Sequence, residues 1–105
     1  MAERKIYNML GLAMKAGKLV SGALMTERAI KGGKAELVIV SADAADNTKK
    51  QFRNSCAYYG VPFYTYGAGE ELGRALGKDV RTSLAVCDSG FAEAIEKIIS
   101  NERGK

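Results

Sequence analysis

Apolar side chains recur near the start of the chain at Ile6, Met9, Leu10, Ala13 and Met14. That i, i+3, i+4, i+7, i+8 spacing lines one face of a helix and predicts a helix over residues 3–15. Gly17 is a natural stop, with Lys15 and Lys18 beside the negative end of the helix dipole. Leu19-Val20 is an apolar pair suited to a brief strand. Ser21-Gly22 then opens a second helix that ends near Gly32-Gly33. The run Glu36-Leu37-Val38-Ile39-Val40-Ser41 is β-branched and almost continuously apolar, as expected of a central strand covered on both faces. Asp43 or Asp46 can cap a third helix reaching about Tyr59, with Phe52, Cys56 and Tyr59 on one face and Gly60 as its stop. A strand over 61–66 follows, with Pro62 near its start, where a missing N–H does least harm. A short helix over 70–76 is closed by Gly77, and Ser83 to Cys87 is another apolar strand. Asp88 or Ser89 caps the last helix, whose expected buried stripe is Phe91, Ile95 and Ile98. Disorder is expected only in the tail over 101–105.

Strands alternating with helices predict an α/β fold, a three-layer α/β/α sandwich with a mostly parallel sheet of about four strands. A length of 105 residues suits one domain spanning 1–105. Nothing approaches the roughly 20 consecutive apolar residues of a membrane helix. No uninterrupted apolar run follows the N-terminus, so no signal peptide is expected either. The expected location is cytoplasmic, with no membrane partner and a monomeric state.

Composition narrows the chemistry. The chain has no histidine, so it lacks the commonest general base, the usual partner of a Ser or Cys nucleophile and the commonest metal ligand. Its two cysteines, Cys56 and Cys87, sit inside apolar patterns without CxxC spacing and are expected to be buried thiols in a reducing compartment. Two glycine patterns mislead. Gly67-Ala68-Gly69-Glu70-Glu71-Leu72-Gly73 resembles a dinucleotide fingerprint, but its third glycine is one place late and two glutamates stand where a pyrophosphate would sit. It is expected to be a loop and helix cap. Gly17-Lys18 lacks the following Ser/Thr of a phosphate loop, because Leu19 stands there. No catalysis, metal or cofactor is expected.

Charge is uneven. Residues 1–34 hold seven Lys/Arg against Glu3 and Glu27, a net of +5, and the rest holds nine against ten acids, a net of −1. A basic segment suits a polyanionic partner. On the second helix, a rotation of about 100° per residue puts Ala23, Thr26, Ala29 and Ile30 toward the core. It puts Leu24, Arg28 and Lys31 within about 60° of one another on the opposite side. That outer face is either a stray surface leucine among cations or a contact surface for phosphates and bases, and periodicity leaves both readings open. The amides of Ser21, Gly22 and Ala23 carry no bulky side chains and allow close approach of a phosphate backbone to the helix start, unless Ser21 simply caps it. Val80-Arg81 pairs an apolar side chain with a cation in a loop that this topology can place beside that start, though taken alone it suits a solvent-exposed turn. Helix and strand spacing make most of Tyr58, Tyr59, Tyr64 and Tyr66 core or core-edge residues, not stacking platforms.

Several segments then match one family in order along nearly the whole chain. The N-terminal block is Leu10-Gly11-Leu12-Ala13-Met14-Lys15-Ala16-Gly17-Lys18-Leu19-Val20-Ser21-Gly22. Lys34-Ala35-Glu36-Leu37-Val38-Ile39-Val40, Ala42-Asp43-Ala44 with Asn47-Thr48-Lys49-Lys50, and Tyr58-Tyr59-Gly60-Val61-Pro62 follow. Leu72-Gly73-Arg74-Ala75-Leu76-Gly77-Lys78 and Asp88-Ser89-Gly90-Phe91-Ala92 complete the set. The chain resembles the ribosomal protein L7Ae family, in its bacterial YlxQ-like branch. The resemblance implies an α/β/α sandwich that binds kink-turn RNA, a sharply bent duplex with sheared G·A pairs. It matches Gly22 to the glycine opening the second helix, Arg28 to a basic position six residues on, the loop from Ala42 through Asp43 to Asp46 to a contact loop, and Val80-Arg81 to the apolar-basic loop before the last strand. It also implies a departure. Archaeal and eukaryotic members carry an Asn-Glu pair two and three residues after the glycine, reading guanine edges, and here those places are Leu24 and Met25, which make no directional hydrogen bonds to a base.

The function expected from the sequence is that of a non-catalytic, ribosome-associated protein binding structured RNA and not DNA. Lys18, Arg28, Lys31 and Arg81 would contact phosphates. Ser21, Gly22 and Ala23 would admit the backbone, and Leu24, Met25 and Val80 would pack on bases or riboses. The alternative is a protein–protein adaptor using the Leu24/Met25/Val80 surface.

Overall fold

The computed structural model describes residues 2–103. Its elements are α1 (Ala2–Lys15), β1 (Leu19–Ser21), α2 (Ala23–Lys31), β2 (Leu37–Val40), α3 (Asp46–Tyr59), β3 (Phe63–Thr65), α4 (Gly69–Ala75), β4 (Ser83–Val86) and α5 (Ser89–Arg103). The strands form one sheet in the order β1-β4-β2-β3.

The side chains of β2 and β4 alternate between two cores, as the two-residue period of a strand requires. Leu37, Ile39, Leu84 and Val86 face α1, α4 and α5, against Ile6, Leu10, Leu72, Ile95 and Ile99. Val38, Val40 and Ala85 face α2 and α3, against Ala29, Ile30, Phe52 and Cys56. Both strands are buried throughout, which accounts for their continuous apolar runs.

The sheet is mixed, not mostly parallel. Only β2 and β3 pair in parallel, while β4 runs antiparallel to both β1 and β2. β1, β2 and β3 share one direction and β4 alone is reversed between two of them. The cause is the connection before β4. A parallel crossover must carry the chain back to the far end of the sheet. Here α4 has only seven residues. The chain then folds back along α4, with the Arg81 amide donating to the Gly69 carbonyl at 3.0 Å, so β4 starts beside the end where β3 finished. Strand–helix alternation in the sequence does not distinguish this excursion from a crossover.

Other local expectations shift. The stripe of α5 is Ala92, Ile95 and Ile99, with Phe91 and Ile98 half-buried at its edge. Tyr58 is 82% exposed and Tyr59 44%, because α3 ends at the left-handed Gly60 before its last turn reaches the core. Tyr64 and Tyr66 are core-edge and core. Asn101 to Arg103 continue α5 where disorder was expected, and residues 104–105 lie outside those described. Tyr66 donates to the Glu102 carboxylate at 2.9 Å, and Arg103 donates to the Thr65 carbonyl, which ties the end of α5 to β3.

Candidate nucleic-acid interface

β1, β2 and β3 end together, and α2, α3 and α4 all start at that same end of the sheet. The loops there are stitched by backbone bonds. The Gly22 amide donates to the Ser83 carbonyl at 2.9 Å, Ser41 to Thr82 at 2.9 Å, and Ala42 to Gly67 at 2.7 Å. The Gly69 amide donates to Asp43 Oδ1 at 3.0 Å. Asp43 therefore does not cap α3, whose cap position is Ala45 and has no side-chain bond. It tethers the loop after β2 to the start of α4 instead. The Ser41 hydroxyl and the Gly69 amide hold its carboxyl below the usual carboxylate range. The same contact disposes of the dinucleotide reading, because the protein's own carboxylate occupies the amide that a pyrophosphate would need.

The three helix starts differ electrostatically. α3 has Asp46 in its first turn, and α4 has Glu70 and Glu71. α2 has no acid in its first turn and no side-chain cap. Ser21 is not that cap, since its hydroxyl accepts a bond from Arg81 Nε at 3.1 Å. The Gly22 amide is spent on Ser83, so the available donors lie one residue further on. Among the described residues, none offers an acceptor to the amides of Ala23, Leu24 or Met25. The positive end of the α2 dipole is thus left uncompensated. Gly22 permits this geometry with φ +93° and ψ 154°, a conformation open essentially to glycine alone, and the space beside its Cα is empty.

Arg81 is placed by a device that the sequence reading passed over. A Cβ on Gly69 would lie 3.0 Å from Val80 Cγ1 and 3.3 Å from the Arg81 carbonyl oxygen. One on Gly73 would lie 1.7 Å from the Asp79 carbonyl oxygen. The two glycines, four apart on one face of α4, form a groove in which the Asp79-Val80-Arg81 loop is seated. The glycine spacing set aside as a failed nucleotide motif was the available signal. The seated loop brings Arg81 to Ser21, and a second guanidinium bond goes to the Val80 carbonyl at 3.1 Å. Two of the five N–H groups of Arg81 are used in holding its position.

The model of the ribosomal protein L7Ae/L30e/S12e/Gadd45 family matches residues 4–96. The chain belongs to this family. It is 38% identical over 93 residues to the RNA-binding protein YlxQ of Bacillus subtilis, covering 89% of this chain and 93% of that one. It is 35% identical over 107 residues to the large ribosomal subunit protein eL30 of Branchiostoma belcheri, covering 95% and 90%. A solved structure of a Bacillus halodurans protein of unknown function superposes with a TM-score of 0.88 at 36% identity, over 91% of this chain and 97% of that one.

Within this L7Ae-family chain, the residues singled out from sequence fall into two groups. Ser21, Gly22, Ala23, Leu24, Met25, Val80 and Arg81 meet at the start of α2, with Asp43 in the neighbouring loop. Ala23 is exposed there and does not face the core, because the first turn of α2 overhangs the sheet end. Leu24 is 63% exposed, Met25 45% and Val80 59%, so the apolar part of the surface is real. Arg28 is exposed one turn along α2. Lys18 and Lys31 lie further off. Lys18 precedes β1, and its carbonyl accepts from Cys87 at the opposite end of the sheet, about 13 Å of extended chain away from Gly22. Lys31 closes α2 and pairs with Glu27 at 3.5 Å. Lys5 and Lys15 belong to α1, across the sheet from α2, whereas Lys49 and Lys50 of α3 lie on the same side of the sheet as Arg28, and Arg53 sits over the Phe63 ring of the edge strand β3. The basic segment of the sequence is therefore not the basic face of the molecule. Cys56 is buried, and loss of water raises its thiol pKa to about 11, with the Glu27 charge adding to the effect. Cys87 is half-buried and also raised by desolvation.

Proposed function

We propose that this protein binds structured RNA at the start of α2 and associates with the ribosome in doing so, without catalysing a reaction. The observation that carries the proposal is the uncompensated helix start. Three amides without acceptors, at Ala23, Leu24 and Met25, stand beside the anchored guanidinium of Arg81 and one turn from Arg28. A phosphate backbone supplies the missing acceptors and the missing charge together. Membership of a family whose relatives are named RNA-binding and ribosomal proteins supports the same reading. The proposed contacts are Arg28 and Arg81 to phosphates, with Lys18 and Lys31 reached only by a longer RNA. Ser21 and Asp43 hold the surrounding loops, Gly22 keeps the approach clear, and Leu24, Met25 and Val80 lie against riboses and unstacked bases.

The target proposed is a kinked duplex of the kink-turn kind, bound by a monomer. Leu24 and Met25 have no groups to read guanine edges, so recognition rests on shape and on exposed bases. Bent RNA, and not regular DNA, offers these. Titration with a kink-turn RNA, a variant with its G·A pairs disrupted, and a plain RNA duplex at two salt concentrations tests the proposal. Tighter binding of the kinked RNA is expected at both salts, with an affinity that falls as salt rises. Equal affinity for all three would reduce the interaction to charge alone. Absence of binding at moderate salt would favour the second reading, a protein adaptor anchored by the exposed Leu24, Met25 and Val80.

A further inference from the structure

The outer face of α3 departs from an ordinary solvated helix face. Asn47, Gln51, Asn54 and Tyr58 recur at i, i+4, i+7 and i+11, which at about 100° per residue keeps them within about 60° of one another. All four are exposed, and Tyr58, 82% exposed, holds its ring edge-on to Tyr59 with 4.8 Å between centroids. The three amides make no side-chain hydrogen bond among the described residues. Lys50 flanks the stripe, about 40° from Asn54. A face that meets only water carries charges of both signs, as α5 does with its exposed Glu93 and Lys97 four residues apart. After Asp46 at its first position α3 has no acid, and none follows in the chain until Glu70. Glu27 of the neighbouring α2 is turned to Ser55 at 3.0 Å and Lys31 at 3.5 Å. α3 starts at the same sheet end as α2 and runs about 20 Å away from it, so the stripe continues the proposed docking surface down the flank of the molecule. Amide, phenol and ammonium groups without carboxylates are the groups that hold ribose and phosphate oxygens without reading bases. We propose, resting on the RNA-binding reading above, that the outer face of α3 is a second contact for the same RNA, along which one arm of the kinked duplex lies. A straight duplex engages the α2 start alone, whereas a bend returns an arm to the flank. The stripe thereby supplies a preference for bent RNA that Leu24 and Met25, with no groups to read guanine edges, do not.

The experiment crosses arm length with the stripe. The RNAs are a kink-turn RNA with two long arms, and the same kink with one arm or the other cut back to just beyond the G·A pairs. The proteins are the wild type and a Gln51→Ala/Asn54→Ala/Tyr58→Ala variant, whose substitutions fall at exposed positions and favour the helix. Dissociation constants are measured by fluorescence anisotropy. Cutting back one of the two arms is expected to weaken wild-type binding roughly tenfold, the worth of a few neutral hydrogen bonds, and cutting back the other to change little. The variant should bind the long-armed RNA as weakly as the wild type binds the shortened one, and should match the wild type on the shortened one. Equal wild-type affinity for long and shortened arms would overturn the proposal and leave the face to a protein partner. An arm-length advantage that persists in the variant would also overturn it, by placing the arm elsewhere. So would a variant that loses affinity for the shortened RNA as well, by making the stripe part of the fold. In each of these cases wild-type binding of the shortened kink keeps the underlying RNA reading intact. Failure of every RNA to bind would overturn both.

Discussion

Individual side chains at the sheet end divide into those that touch solvent and those that hold others in place. Arg28 is exposed and makes no side-chain hydrogen bond or ion pair among the described residues, so Arg28→Ala should leave the melting temperature nearly unchanged. It should weaken RNA binding and lower the slope of log affinity against log salt by about one phosphate contact. A large stability loss with unchanged affinity would make Arg28 structural. Asp43 holds another group. Its carboxyl pKa is lowered in the fold by Ser41 and the Gly69 amide, so its stabilising contribution is present above the ordinary carboxylate range and is lost as pH falls through the folded value. The melting temperatures of the wild type and Asp43→Asn should therefore converge as pH is lowered from about 6 to about 3. A gap independent of pH would mean that the ionised carboxylate is not what binds Gly69. Cys56 and Cys87 look alike in the sequence, both inside apolar runs, and only packing separates them, because Phe52 and Cys56 share the interior face of α3 while Cys87 follows a strand end.

At the level of elements, two glycine positions make contrasting demands. Gly22 has a conformation closed to other residues but open space around it, so Gly22→Ala should cost about 1–3 kcal/mol through backbone strain alone, measured by urea unfolding. Its methyl group would also stand in the proposed path of the RNA backbone. Gly73 has ordinary helical geometry and no space, since its Cβ would meet the Asp79 carbonyl oxygen. Gly73→Ala should destabilise by about 1–3 kcal/mol or more through forced displacement of the loop. It should also shift the Arg81 resonances in an NMR spectrum, which Gly22→Ala should leave closer to native. Unchanged Arg81 signals in Gly73→Ala would mean that the α4 groove does not seat the loop. Helix and strand positions were largely legible from apolar periodicity. The caps were not, because capping by Asp43 or Ser21 depends on partners 26 and 60 residues away.

The whole molecule, about 30 Å across, sorts its charges by side of the sheet. Lys5 and Lys15 lie on the α1 side, with the sheet between them and a partner docked on α2, and exposed charges separated by more than roughly 8 Å are largely screened at physiological salt. Reversing both to glutamate should change RNA affinity little at that salt, whereas Lys49→Glu with Lys50→Glu at the start of α3 should weaken it severalfold. Equal losses from the two pairs, measured by the same titration, would mean that net charge and not its placement governs binding.

Local patterns in the sequence determined which segments are helices, which strands are buried on both faces, and that α2 carries an apolar-cationic outer face. These follow from periods of 3.6 and 2 residues and from single glycines, all properties of neighbouring positions. The same patterns gave the order of the elements, and family resemblance added the contact loops as expectations. Tertiary structure alone decided the reversal of β4, because that depends on whether the chain after α4 crosses the sheet or folds back into the Gly69 and Gly73 groove. It also decided which cations share a face, and it left the first turn of α2 without acceptors. Both outcomes are set by contacts between residues distant in sequence, which no local pattern contains.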